Sequence, residues 1–195
     1  MIAVKRWGRH GIVLLYGAAN LLGTGGAALA EPNSGPGVFG GLAAHQGEVK
    51  LATGGTSGFL SSGLEGGAEY QQVVSRDWSL VGFAQTSAET VAGDAGKSYA
   101  LASHTIAGAE ARYWEGPKYV GLHLGGYAEA LAAKSKAGAK DTQAYGWGLG
   151  LSWGWEGDGG WFAAGQLDLA EVAYSNATHA LTGIRVHLGY RWRRE

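Results

Sequence analysis

The sequence predicts an all-β fold, a closed antiparallel transmembrane β-barrel of eight strands, and three observations carry that prediction. Beyond residue 30, large apolar residues alternate with small or charged ones, the period-two pattern of strands with two different faces. Short and long connections between these segments alternate along the chain. Aromatic residues gather beside the short connections, as they do where a strand meets a membrane surface.

The first thirty residues stand apart from this pattern. Lys5, Arg6 and Arg9 form a basic start, Gly11 to Ala30 is apolar and small, and Ala28-Leu29-Ala30 precedes Glu31. That order is the grammar of a secretory signal peptide cleaved after Ala30. A membrane anchor would need about 20 apolar residues in a row, and glycine interrupts this run repeatedly. Residues 1–30 are therefore read as a signal peptide and 31–195 as the barrel.

The strands are expected near 37–49, 63–74, 78–90, 98–114, 118–131, 143–156, 160–173 and 180–192. The clearest is Tyr145 to Trp155, where Tyr145, Trp147, Leu149, Leu151, Trp153 and Trp155 oppose Gly146, Gly148, Gly150, Ser152 and Gly154. In the last strand Ile184, Val186, Leu188, Tyr190 and Trp192 oppose Arg185, His187, Gly189 and Arg191. Connections at VSRD, EGPK and EGDGG are tight and turn-like, whereas the other four read as longer and polar. This is the rule of barrels with short periplasmic turns and longer outer loops.

Face chemistry sets which side meets lipid. Eight strands enclose a space only just wide enough for side chains, so the tryptophan face of 145–155 belongs outside. Glycine then has a use, with 36 residues and no repeat of period three, as filler of a narrow lumen. Trp78, Tyr113, Trp114, Tyr119, Trp153, Trp155, Trp161, Tyr190 and Trp192 are expected at the lipid interface of the turn end. A sparser second girdle would hold Tyr99, Tyr127, Tyr145, Trp147 and Tyr174.

This layout resembles the small eight-stranded outer-membrane proteins of the OmpA membrane-domain, OmpX and opacity-protein type. The segment VHLGYRW, residues 186–192, is similar to the C-terminal signal read by the barrel assembly machinery, although Arg193-Arg194-Glu195 follow where an aromatic normally ends the chain. The resemblance implies the outer membrane of a Gram-negative cell, contact with its lipid and lipopolysaccharide, assembly by that machinery, and a monomer. It implies nothing about activity.

Composition excludes several classes. A net charge of −1 and a pI near 6.6 give no basic patch for nucleic acid. Without cysteine there is no disulfide framework and no thiolate site. The alternation sends Glu65, Glu69, Glu110, Arg112, His123, Glu129, Asp168, Arg185, His187 and Arg191 into the lumen. They read as a salt-bridge network, since buried charges must be paired, or else as a polar conduit or a carboxylate–histidine site.

A hydrolase reading rests on Tyr174-Ser175-Asn176. Lipid A deacylases of this barrel size carry His-x-Ser-Asn in a comparable place, the histidine activating the serine. Here Ala173 stands where that histidine would be, leaving only His179, four residues beyond Ser175. Histidines 45, 104, 123 and 187 are dispersed with no ligand spacing, so neither a metal nor a cofactor is expected. Lys134, Lys136 and Lys140 make one loop basic, a solvated loop first and a contact for lipopolysaccharide phosphates second. The expected role is structural or surface-interacting through the outer loops, with an outer-leaflet hydrolase and a small-solute channel as alternatives.

Overall fold

A computed structural model describes residues 32–51, 56–93, 99–134, 142–174 and 177–193. They form eight strands: β1 (Gly35–Leu51), β2 (Thr56–Ser75), β3 (Trp78–Gly93), β4 (Tyr99–Glu115), β5 (Lys118–Ala133), β6 (Thr142–Glu156), β7 (Trp161–Tyr174) and β8 (Ala177–Arg191). Each pairs antiparallel with the next, and β1 pairs with β8 from Gly37↔Arg191 to Leu51↔Ala177, closing the barrel. The expected leader, residues 1–30, and Ser175 lie outside the described residues.

The turn end holds the tight connections 76–77, 116–117 and 157–160 together with the start of β1 and the finish of β8. Gly116 and Gly160 take φ of 61° and 85° there, the left-handed region that glycine enters without steric cost. The connections at the opposite end, expected to be the outer one, are shorter than expected. Only residues 52–55, 94–98, 134–141 and 175–176 separate the strands, because the strands run on past the point where alternation fades. β2 begins at Thr56 rather than near 63: Phe59 faces in and Leu60 faces out, so two large apolar neighbours hide the period.

Outward side chains form an apolar band that includes Leu42, Leu64, Leu80, Leu122, Leu124, Leu149, Leu151, Leu169, Val186 and Leu188. Leu64, 69% exposed in the isolated chain, gains from burial only if lipid covers it. Toward the outer end many outward positions become polar: Gln46 and Glu48, Ser62, Thr86 and Thr90, Ser103 and Thr105, Gln143, Glu171, Thr178 and Thr182, interrupted by Leu60, Leu101, Tyr145 and Trp147. The wall therefore has an apolar belt and, above it, a polar collar.

Inward glycines let charged side chains cross the lumen. A Cβ at Gly183 would stand 2.6 Å from His45 Nε2 and 3.3 Å from Asp168 Oδ2, whereas one at the outward Gly82 would meet nothing within 4 Å. Overpacking of that kind costs about 1–3 kcal/mol. Gly183→Val should lower the unfolding free energy of the refolded barrel in urea by that amount, while Gly82→Ala changes it by less than about 0.5 kcal/mol. Equal effects in equilibrium unfolding would contradict the assignment of the two faces.

Candidate functional site: the charged lumen

All ten side chains expected in the lumen are buried there, and they join in ion pairs at three levels. At the turn end Arg112 donates through Nη2 to Glu69 Oε2 at 2.7 Å, through Nε to Glu110 Oε1 at 2.9 Å and through Nη1 to Gln71 at 3.0 Å. Arg191 reaches Glu69 and Glu156, and Asn33, just ahead of β1, donates to Glu156 at 3.1 Å.

At mid-height Arg185 on β8 donates to Asp168 Oδ2 at 2.8 Å and Glu65 Oε2 at 3.0 Å. His123 Nε2 lies 2.7 Å from Asp168 Oδ1, and His187 Nδ1 lies 3.2 Å from Glu65 Oε1. Phe39 stacks on His187 with centroids 4.3 Å apart, and Phe83 stands edge-on to His123 at 5.7 Å. Gln85 on β3 donates to Gln166 on β7 at 2.8 Å. Those strands are four apart in the closed order, so this bond spans the lumen from wall to opposite wall.

The outermost level contains no arginine among the described residues. Glu89 accepts from Ser61 at 2.6 Å and from Ser87, and it lies 2.8 Å from His45 Nδ1 and 3.1 Å from His104 Nδ1. Glu129 takes His104 Nε2 at 3.2 Å, His179 Nδ1 at 2.8 Å and the Tyr174 hydroxyl at 2.6 Å.

Two residues expected in the lipid-facing rim turn inward instead. Trp114 is 2% and Tyr119 3% exposed. The Trp114 indole donates to Ser79 at 2.8 Å, and the Arg112 guanidinium lies 4.5 Å from the Tyr119 ring centre. The turn-end mouth needs bulk to close it, and these rings supply both bulk and a cation–π surface. The signal was present: Trp114 is two residues from Arg112, and Tyr119 is two from Gly121 and four from His123, so period two already set them on the lumen face. The same parity places Tyr127 inside, although it was expected in the second girdle. Tyr174 turns its hydroxyl to Glu129.

The remaining rim residues keep to the outside. Trp78, Tyr113, Trp161 and Trp192 are exposed, and Trp153, Trp155 and Tyr190 are half-buried. They pack edge to face, with centroids 5.3 Å apart for Trp78–Tyr113 and 5.4 Å for Trp161–Tyr190.

Sequence reasoning missed Glu89, His45, His104 and Glu156 as lumen charges. Glu156 was read as part of a turn. His45 and His104, read as dispersed, are brought to a centroid separation of 4.2 Å by the pairing of β1, β2, β3 and β4. With Glu89 they offer three donor atoms within 4.8 Å of one another. Yet Arg185 Nη2, which only donates, lies 3.0 Å from His45 Nε2. That contact puts the ring proton of His45 on Nδ1, facing Glu89, where a metal would need a lone pair. The trio is a filled hydrogen-bond network. His179, the one described member of the candidate hydrolase pair, is likewise engaged by Glu129.

No protein-family model and no curated protein matches this sequence. Among solved structures, Ail, the attachment invasion locus protein of Yersinia pestis, superposes with a TM-score of 0.50 at 9% identity, covering 80% of this chain and 99% of Ail. The fold is that of a small outer-membrane barrel. Neisserial surface protein A aligns at 15% identity over 83% of this chain and all of its own, with a TM-score of 0.49. OprG from Pseudomonas aeruginosa aligns at 14% identity over 84% of this chain and 99% of its own, with a TM-score of 0.48.

Removing one member of a buried ion-pair network leaves an uncompensated charge, which costs about 3–5 kcal/mol. Arg185→Met should therefore destabilise the refolded barrel by that amount, because Glu65 and Asp168 both lose their guanidinium partner. A loss below about 1 kcal/mol in chemical unfolding, the size of an exposed pair, would show that the mid-height network is solvated.

Proposed function

We propose that the protein is a closed, monomeric outer-membrane barrel of a Gram-negative envelope whose role is structural or surface-interacting, carried by its outer end rather than by conduction or catalysis. The observation that carries this reading is the wall-to-wall Gln85–Gln166 bond within a lumen crossed by ion pairs beside, above and below it. A conducting path would have to break buried, charge-assisted contacts at three levels. The polar collar outside the upper barrel, with Thr86, Ser103, Thr105 and Gln143, stands where the sugars and phosphates of lipopolysaccharide would surround it, and Lys134 lies at its top. Export behind a leader cleaved after Ala30, and insertion by the barrel assembly machinery through residues 186–192, complete the proposal.

Three measurements bear on it. Protein extracted from outer membranes should migrate differently on gels before and after boiling, as closed barrels do, and recovery as a soluble periplasmic species would sink the membrane reading. In planar bilayers it should give no single-channel steps, so a resolved unitary conductance would favour the channel. Mass spectrometry of lipid A should find the same acyl pattern with and without the gene. A missing acyl chain that returns on Ser175→Ala or His179→Ala would establish the hydrolase instead.

A further inference from the structure

His104 stands between two carboxylates. Its Nδ1 is 3.1 Å from Glu89 Oε1 and its Nε2 is 3.2 Å from Glu129 Oε1. Ionised carboxylates only accept hydrogen bonds, so each contact needs a proton on the ring nitrogen, and a neutral imidazole carries only one. We propose that His104 is a doubly protonated imidazolium that braces Glu89 against Glu129 and latches the outer end of the barrel, and that loss of this one proton at alkaline pH releases the latch.

The proton has no better place nearby. Glu89 already accepts from Ser61, Ser87 and His45, and Glu129 from Tyr174 and His179. A hydrogen on Glu89 would meet donors at both oxygens, and at Glu129, whose Oε1 faces only His104 Nε2, a shared proton rests on the imidazole, the more basic of the two groups. His45 cannot supply the charge, because Arg185 occupies its Nε2 and leaves it one ring proton, on Nδ1. No lysine or arginine side chain is buried at this level among the described residues.

The groups facing His104 come from the whole circumference. They are His45 on β1, Ser61 on β2, Ser87 and Glu89 on β3, Glu129 on β5, Tyr174 on β7 and His179 on β8. β6 contributes the apolar Ala144, paired with Glu129 in register. One proton thus completes a network that ties seven strands at the level of the polar collar, above the apolar belt and next to the external medium. Deprotonation would set a ring lone pair against a carboxylate and leave two buried negative charges without a counterion.

The sign of the pH effect follows from proton counting. The folded barrel holds this proton where the unfolded chain, with an ordinary histidine near 6.5, has released it. Stability is therefore full below about pH 6.5 and falls as pH rises through the release of the latch, by at most about tenfold in the unfolding constant per pH unit.

The test uses full-length protein refolded in detergent micelles with 15N-labelled histidine. At pH 7 the His104 signals, assigned by their loss in His104→Gln, should show both ring nitrogens protonated. Glu89→Gln, which removes one of the two flanking negative charges while keeping a carbonyl acceptor, should lower the pH at which the ring loses its second proton, and this variant serves if His104→Gln does not refold. Between pH 6 and 9 the unfolding constant of the wild type should rise more steeply than that of His104→Gln, by up to about tenfold per unit. A single protonated nitrogen on His104 at pH 7 would overturn the proposal, as would identical pH slopes. So would stabilisation by zinc ions seen in the wild type and absent from His104→Gln, which would make the level a cation site.

Discussion

The lumen of an eight-stranded barrel is only as wide as the side chains that fill it, and everything else in this molecule depends on that limit. Lipid outside removes the usual refuge for charged groups, so a charge on a strand between the turn-end connections and the collar must lie in the lumen. Each then loses solvation worth several kcal/mol unless a partner meets it at hydrogen-bond distance. The narrow lumen makes such meetings possible, because partners on strands far apart in order can still touch. Arg185 on β8 reaching Glu65 on β2, and Gln85 on β3 reaching Gln166 on β7, are direct consequences. Glycine follows from the same limit, since a side chain at Gly183 would occupy the space of the His45 ring.

The polar filling changes character along the barrel. The turn end is held by two guanidiniums, Arg112 and Arg191, and mid-height by one, Arg185. The outermost level has none among the described residues and relies on His45, His104 and His179 around two carboxylates. A guanidinium stays charged at any pH a protein meets, whereas an imidazole does not. The barrel is thus permanently closed near its termini and held by a removable charge at its opposite end. This gradient runs parallel to the outer wall, which passes from an aromatic rim through an apolar belt to a polar collar.

Most of this architecture was legible in the sequence wherever the two faces differ in chemistry. Residues 145–155 and 184–192 declare their faces because tryptophan or leucine opposes glycine or arginine, and their lumen charges fall where parity puts them. Legibility failed where both faces carry the same kind of residue. Phe59 and Leu60 lie on opposite sides, as do Tyr113 and Trp114, and only counting in twos from a neighbouring charge separates them. The outer histidine–carboxylate level was hidden for another reason. His45, Glu89 and His104 are far apart in sequence, and only the registers of β1, β2, β3 and β4 bring them together.

The central claim, that a charged and closed interior is wrapped in a lipid-facing apolar wall, is tested most directly by tryptophan quenching in bilayers. Two variants retaining a single tryptophan, Trp161 on the outside and Trp114 on the inside, would be refolded into vesicles containing brominated lipid. Trp161 should be strongly quenched by the brominated chains, and Trp114 should resist both those chains and aqueous acrylamide. Quenching of Trp114 by lipid to the extent seen for Trp161, or by acrylamide as in an open pore, would contradict the account.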